Sequence, residues 1–317
     1  MLRGPAQVMF LADARAGALC CLALATADWR YGAYALGGAV LGTATAHLLD
    51  AADERVEPGL EGLNSCLLAL CLAVFLGPGR LSTVLLAAAG CAVVTVVTAA
   101  LVRVLRVWDL PPLTIPYCLL AGAVTAAAPA FGWTRPRTAT PPQALSGPTS
   151  LHPADLAGAL LRGVSQVFFL DQWYVGALLL GVLFLANRVA GLVACAGGAT
   201  GILTAWALGV PAARIADGTM GYNAVLVALA LCGALLPATP ATLPYALLGA
   251  ATTTALTQGA AGLLAPSGGH VLTWPFILTT LCFLATARCF PRLTAPRGSR
   301  ICLKEGATGE PMVTESR

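Results

Sequence analysis

Side chains able to do polar chemistry recur in this chain at one interval. Gln7 and Gln166 lie 159 residues apart, and so do Thr114 and Thr273. Each threonine stands two residues before a proline, Pro116 and Pro275. Amides and hydroxyls are uncharged groups that both donate and accept hydrogen bonds, so they suit a polar neutral solute better than an ion. Each glutamine precedes a phenylalanine, Phe10 or Phe169, by three residues. On a helix that spacing places amide and ring on one face. The bland reading of the glutamines is an interhelical hydrogen bond; the sharper one is a pair of cavity liners. For the threonines, one reading is repair of carbonyls freed by proline, and the other is a hydroxyl aimed at a passing solute. Asn64 and Asn223, again 159 apart, are expected to cap helix starts rather than touch solute.

The groups needed for other chemistries do not assemble. No Ser/His/Asp grouping, paired carboxylates or His-Glu-x-x-His motif occurs, so no catalytic residue is expected. There is no G-x-x-x-x-G-K-S/T loop, which excludes ATP-driven transport. Most of the 11 cysteines fall inside apolar runs, with no C-x-x-C pair, and the three histidines are scattered. Neither a metal nor another cofactor is expected. Asp28, Asp50, Asp53, Glu54, Glu57, Asp109 and Asp155 are read into connections or span ends, with Asp171 and Asp217 nearest to spans. Ion-coupled transporters usually keep a carboxylate within the membrane, so its absence favours passive movement.

Composition dictates what must position these groups. Of 317 residues, 58% are hydrophobic and only 10% charged, and mean hydropathy is +0.80. An ordinary soluble domain carries roughly 25% charged residues. The chain therefore reads as an all-α, polytopic membrane protein in contact with lipid. Net charge is +4 without a basic run before the C-terminal tail, so nucleic acid is not an expected partner. Three separated motifs share the 159-residue interval: Leu2-Arg3-Gly4 through Gln7 with Leu161-Arg162-Gly163 through Gln166, Gly59 through Asn64 with Gly218 through Asn223, and Leu113-Thr114 with Leu272-Thr273. The expected organisation is a first repeat over 1–130, a polar Pro-rich linker over 131–159, a second repeat over 160–292 and a cytoplasmic tail over 293–317. Apolar runs begin with 7–27, read as the first span with no cleavable signal, and continue through 32–49, 64–76, 81–107 and 114–131. The third and fifth are short and start at Gly or Pro, the mark of half-spanning segments near a binding site. An odd number of crossings per half makes the repeats inverted, with about ten spans in all. Arg288, Arg292, Arg297, Arg300 and Lys304 follow the last span and assign the C-terminus to the cytoplasm, with the N-terminus on the same side.

In order along the chain, Leu-Arg-Gly-x-x-Gln-Val, Gly-x-x-Gly-Tyr-Asn, Trp-Asp-Leu-Pro-x-x-Thr-x-Pro and Thr-Trp-Pro-Phe resemble the urea transporters, in particular the vertebrate facilitative ones. The resemblance covers both halves. It implies a homotrimer in the plasma membrane, each protomer with its own urea pore between inverted halves. It implies one slot built from Phe10, Leu63 and Leu67, and a second from Phe169, Tyr222 and Leu226. Gln7 and Gln166 would sit at helix ends beside ladders of carbonyl oxygens, and Thr114 and Thr273 at the constriction between. The chain carries Leu63 where the family usually has Tyr or Phe, and Cys118 where vertebrate members have Asn. A water, ammonia or small-amide channel on the same fold, and a transport-dead assembly subunit, are the alternatives.

Overall fold

The computed structural model describes residues 1–49, 60–130, 153–264 and 269–293. The acidic residues from Asp50 to Glu57, most of the expected linker and the tail beyond Leu293 lie outside them. Every regular element among the described residues is helical: α1 (Arg3–Gln7), α2 (Ala14–Ala25), α3 (Trp29–Leu48), α4 (Leu60–Leu76), α5 (Leu81–Leu105), α6 (Ile115–Ala127), α7 (Pro153–Gln166), α8 (Trp173–Ala186), α9 (Arg188–Ala207), α10 (Ala212–Ala216), α11 (Tyr222–Leu229), α12 (Thr242–Leu264) and α13 (Trp274–Ala287). Helix α7 starts at Pro153, inside the stretch expected as linker.

One sequence expectation fails at the outset. The run 7–27 is not a single span. It breaks after α1, and Asp13 starts a new helix by accepting a hydrogen bond from the Arg15 backbone N–H at 3.1 Å. The apolar run conceals this break because the turn is built from apolar residues. The same local device opens α3, where Asp28 accepts from Arg30 N–H at 2.9 Å, and α9, where Asn187 accepts from Val189 N–H at 2.9 Å. Asp28 and Asn187 are 159 residues apart and both are extended, with φ −156° and −157°.

Packing depends on small residues. Helix α3 lies on α4 and α9 on α11. A Cβ at Gly38 would come within 2.5 Å of the Ser65 carbonyl, and one at Gly197 within 2.5 Å of the Ala228 Cβ. Only glycine permits these approaches, which bring backbones close enough for dispersion to hold the helices where no water can drive them together. Several interior threonines satisfy their hydroxyls on their own helices: Thr43 donates to the Ala39 carbonyl at 2.7 Å, Thr98 to Val94 at 2.7 Å and Thr257 to Thr253 at 2.8 Å. The outer surface is apolar, with Leu185 81% and Leu263 83% exposed. A solvent-facing surface of that kind would aggregate; in lipid it is at home. Helical stretches Leu81–Trp108 and Arg188–Ala207 are long and apolar enough to cross a bilayer. The two sequence halves meet through α2 on α8 and α6 on α13.

Candidate functional site

Two short helix ends point their last turns into the interior. After α1, the Phe10 N–H donates to the Gln7 carbonyl and the Leu11 N–H to the Ala6 carbonyl, both at 3.0 Å. After α7, Phe169 N–H donates to the Gln166 carbonyl at 3.0 Å and Leu170 N–H to Ser165 at 3.4 Å. This pair of bonds is a Schellman motif, whose turn residue must be left-handed and is usually glycine. Here it is phenylalanine, with φ 59° at Phe10 and 64° at Phe169. A side chain in that region costs about 1–2 kcal/mol. Two rings held so against the backbone's preference mark a place where the ring itself is needed. Phe10 and Phe169 therefore stand beyond the helix ends. The expectation that each shares a helical face with its glutamine is corrected, although Gln7 and Phe10 do line one cavity.

The second pair of turns precedes α6 and α13. Leu113 and Leu272 are left-handed, at φ 47° and 49°. The residues that follow, Thr114 and Thr273, have matching backbones, φ −99° and ψ 16° against φ −99° and ψ 20°. Pro116 and Pro275 occupy the first helical turn, where a missing N–H costs nothing. Neither threonine caps its own helix with its side chain. Instead the two hydroxyl oxygens meet each other at 2.7 Å, both residues buried. The Cys118 sulfur lies 3.1 Å from the Thr273 hydroxyl oxygen. Repair of proline-freed carbonyls, one reading of these threonines, is thus not what their hydroxyls do.

Asn64 is a cap of an unexpected kind, and Asn223, expected to cap as well, does not. Asn64 lies inside α4 rather than at its start, and it caps a neighbour. Its Nδ2 donates to the Leu113 carbonyl at 3.3 Å and its Oδ1 accepts the Tyr117 N–H at 3.3 Å, tying α4 to the turn that carries Thr114. In the other half the Tyr222 hydroxyl donates to the Leu272 carbonyl, and Asn223 donates instead to the Thr257 hydroxyl at 3.2 Å. Leu63, at the place matching Tyr222, has no hydroxyl, so the asparagine takes the carbonyl. One substitution between halves re-routes a hydrogen bond.

A cavity of about 940 Å³ opens on one side of the constriction, lined among others by Gln7, Phe10, Leu63, Asn64 and Leu113. At its rim, Arg288 Nη1 pairs with Asp109 Oδ2 at 3.4 Å and Nη2 donates to the Asp109 carbonyl at 3.0 Å. The Phe10 ring meets Phe276 edge-on at 6.3 Å, while Phe169 lies 5.9 Å from Tyr117 and 6.3 Å from Phe75. Phe75 in turn stacks on His270 at 4.1 Å. Leu67 and Leu226 are buried in the apolar core. Glu61 was not among the acidic residues considered near a span. It belongs to the first turn of α4, is 2% exposed and lines the cavity, so the apolar interior does hold a carboxylate. Its place one helical turn before Asn64 was the available signal. Phe75, Tyr117 and His270 also escaped the sequence reading; the repeat match of Tyr117 to Phe276 was the signal for the second.

Helices with an apolar exterior, packed around buried polar and aromatic turns, define a helical membrane protein. Residues 1–288 match the family model described as Urea transporter. Among curated relatives, Urea transporter 1 of Ovis aries is 30% identical over 289 residues, covering 90% of this chain and 75% of that protein. Urea transporter 1 of Mus musculus is 28% identical over 310 residues, covering 96% and 81%. The chain belongs to the urea transporter family. It is an integral membrane protein.

Proposed function

We propose that this chain is a passive, channel-like conduit that carries urea across a membrane down its gradient. The observation that carries the reading is the Thr114–Thr273 hydroxyl pair at 2.7 Å, set between two left-handed phenylalanine turns. Urea is planar and neutral, and stripping its water is costly unless each group finds a partner. Hydroxyl and carbonyl oxygens replace that water, as carbonyls do in ion filters. Phe10 with Leu63 and Leu67 forms one slot, and Phe169 with Tyr222 and Leu226 the other. Gln7 and Gln166 stand at the outer ends, and the threonines form the constriction. Aromatic walls favour the flat solute and offer nothing to the shell of an ion.

The halves, 1–130 and 160–292, act as inverted repeats with about ten spans. The recurrence of caps and left-handed turns at 159 residues supports this, as does contact between the matching threonines. The unit is a homotrimer in the plasma membrane with both termini cytoplasmic, and the residues joining and following the repeats form linker and tail. Purified protein in proteoliposomes should shrink and reswell in a urea gradient, indifferent to imposed pH or sodium gradients. Uphill urea accumulation driven by either ion would refute passive transport, and Glu61 is the carboxylate that makes this control necessary.

A further inference from the structure

The two walls of the constriction are not equivalent. Thr114 is the N-cap residue of α6, and Tyr117 and Cys118 follow in its first turn. The matching start of α13 has Thr273 as N-cap, then Phe276 and Ile277. Phe276 packs on Phe10, and Tyr117 packs on Phe169, so the two rings have corresponding places. What differs is one hydroxyl. Tyr117 is fully buried, and its hydroxyl oxygen makes no hydrogen bond of good geometry among the described residues, with the Thr273 and Cys118 side chains as polar neighbours. A buried orphan of that kind is destabilising, and native proteins keep few of them without a use.

We propose that the Tyr117 hydroxyl is a solute-binding group that donates its hydrogen bond to the carbonyl oxygen of a planar amide solute held against Phe169. The inference rests on the reading of this constriction as the urea path. The chemistry of urea supplies the need. Its four N–H groups want acceptors, which carbonyl and hydroxyl oxygens provide; its single oxygen wants a donor. Donors at the centre are scarce. Of the three side-chain protons on Thr114, Thr273 and Cys118, two serve the Thr114–Thr273 and Cys118–Thr273 contacts and one is left over, while the Tyr222 hydroxyl is engaged by the Leu272 carbonyl. Tyr117 is the stronger donor among those left, in the first turn after Thr114 and beside the ring that forms the slot wall. Thiourea presents sulfur in place of that oxygen. Sulfur is a weak acceptor, so the Tyr117 hydroxyl favours urea over its sulfur analogue.

The test is Tyr117→Phe, which removes one oxygen and leaves a ring already accommodated at the matching Phe276. Wild type and variant are reconstituted in proteoliposomes, and urea and thiourea permeabilities are read by stopped-flow light scattering beside a thermal unfolding curve. Urea permeability should fall roughly two- to twelve-fold, the worth of one neutral hydrogen bond. Thiourea permeability should change less, so the urea-to-thiourea ratio drops, and the unfolding midpoint should hold or rise. The reverse change, Phe276→Tyr, adds a donor at the first slot and should raise the ratio. A Tyr117→Phe protein with wild-type urea permeability and an unaltered ratio overturns the inference while leaving urea transport standing. Absence of urea flux in the wild type overturns the transport reading and the inference with it.

Discussion

Replacing each constriction threonine by valine separates transport from architecture. Valine keeps the branched shape and removes the hydroxyl. The structure makes the two substitutions unequal. Thr273 bonds both Thr114, at 2.7 Å, and Cys118, at 3.1 Å, whereas Thr114 has the threonine contact alone. Thr273→Val strips a partner from two buried polar groups, and Thr114→Val from one. Leaving a buried polar group unpaired costs about 1–3 kcal/mol. A solute crossing the pair loses an acceptor of the same worth, and if that loss falls on the barrier it slows flux roughly 5- to 150-fold. Both variants should therefore conduct urea more slowly per folded protomer, and Thr273→Val should unfold at the lower temperature. Stopped-flow permeability, normalised to folded protein counted by size-exclusion chromatography, is set beside thermal unfolding of the same preparations. Normal flux per folded protomer with a lowered unfolding temperature would show that the pair only braces α6 against α13, and the reasoning would be wrong.

Other outcomes follow from neighbouring residues. Phe169→Ala should weaken discrimination against thiourea, because the slot wall is lost, while Leu63→Phe should sharpen it; unchanged permeability ratios at normal expression would count against both as liners. Gly38→Val should prevent α3 from seating on α4 and abolish recovery of folded protein, whereas a valine at Gly37, with open space around it, should be tolerated; equal yields would refute the close-packing argument. Burial against Phe75 pushes the His270 imidazole below its ordinary pKa of 6.5, so the folded state binds its proton less readily than the unfolded chain. The contribution is intact above that value and declines as pH falls below it. Acid-dependent loss of unfolding temperature should shrink in His270→Phe, as measured by thermal scans between neutral and mildly acid pH.

The repeat was readable because it is written in residues that backbone geometry demands: prolines, glycines and polar side chains at the turns. Gln7, Thr114 and their counterparts stood out for the same reason, polar groups being conspicuous in an apolar chain. The break after α1 was hidden, since Phe10 supplies the left-handed turn where a glycine would have announced it; Asp13, an N-cap inside an apolar run, was the overlooked clue. The role of Asn64 was legible as capping but not as capping of a distant helix, because a hydrogen bond across 49 residues leaves no local spacing. Glu61 was masked by its motif, read for its glycines and asparagine.

The mismatch between the two walls has a thermodynamic consequence. A conduit without an energy source cannot rectify: at equal urea on both sides, net flux is zero however lopsided its interior. Polar groups gathered on α6 near Phe169, against apolar Phe276 and Ile277 opposite, instead decide where along the path a molecule dwells. Detailed balance then allows influx and efflux to saturate at different concentrations, provided maximal rate divided by half-saturation is the same in both directions. Duplication supplies the near-symmetric frame, and divergence at a few side chains tunes residence without touching the direction of flow.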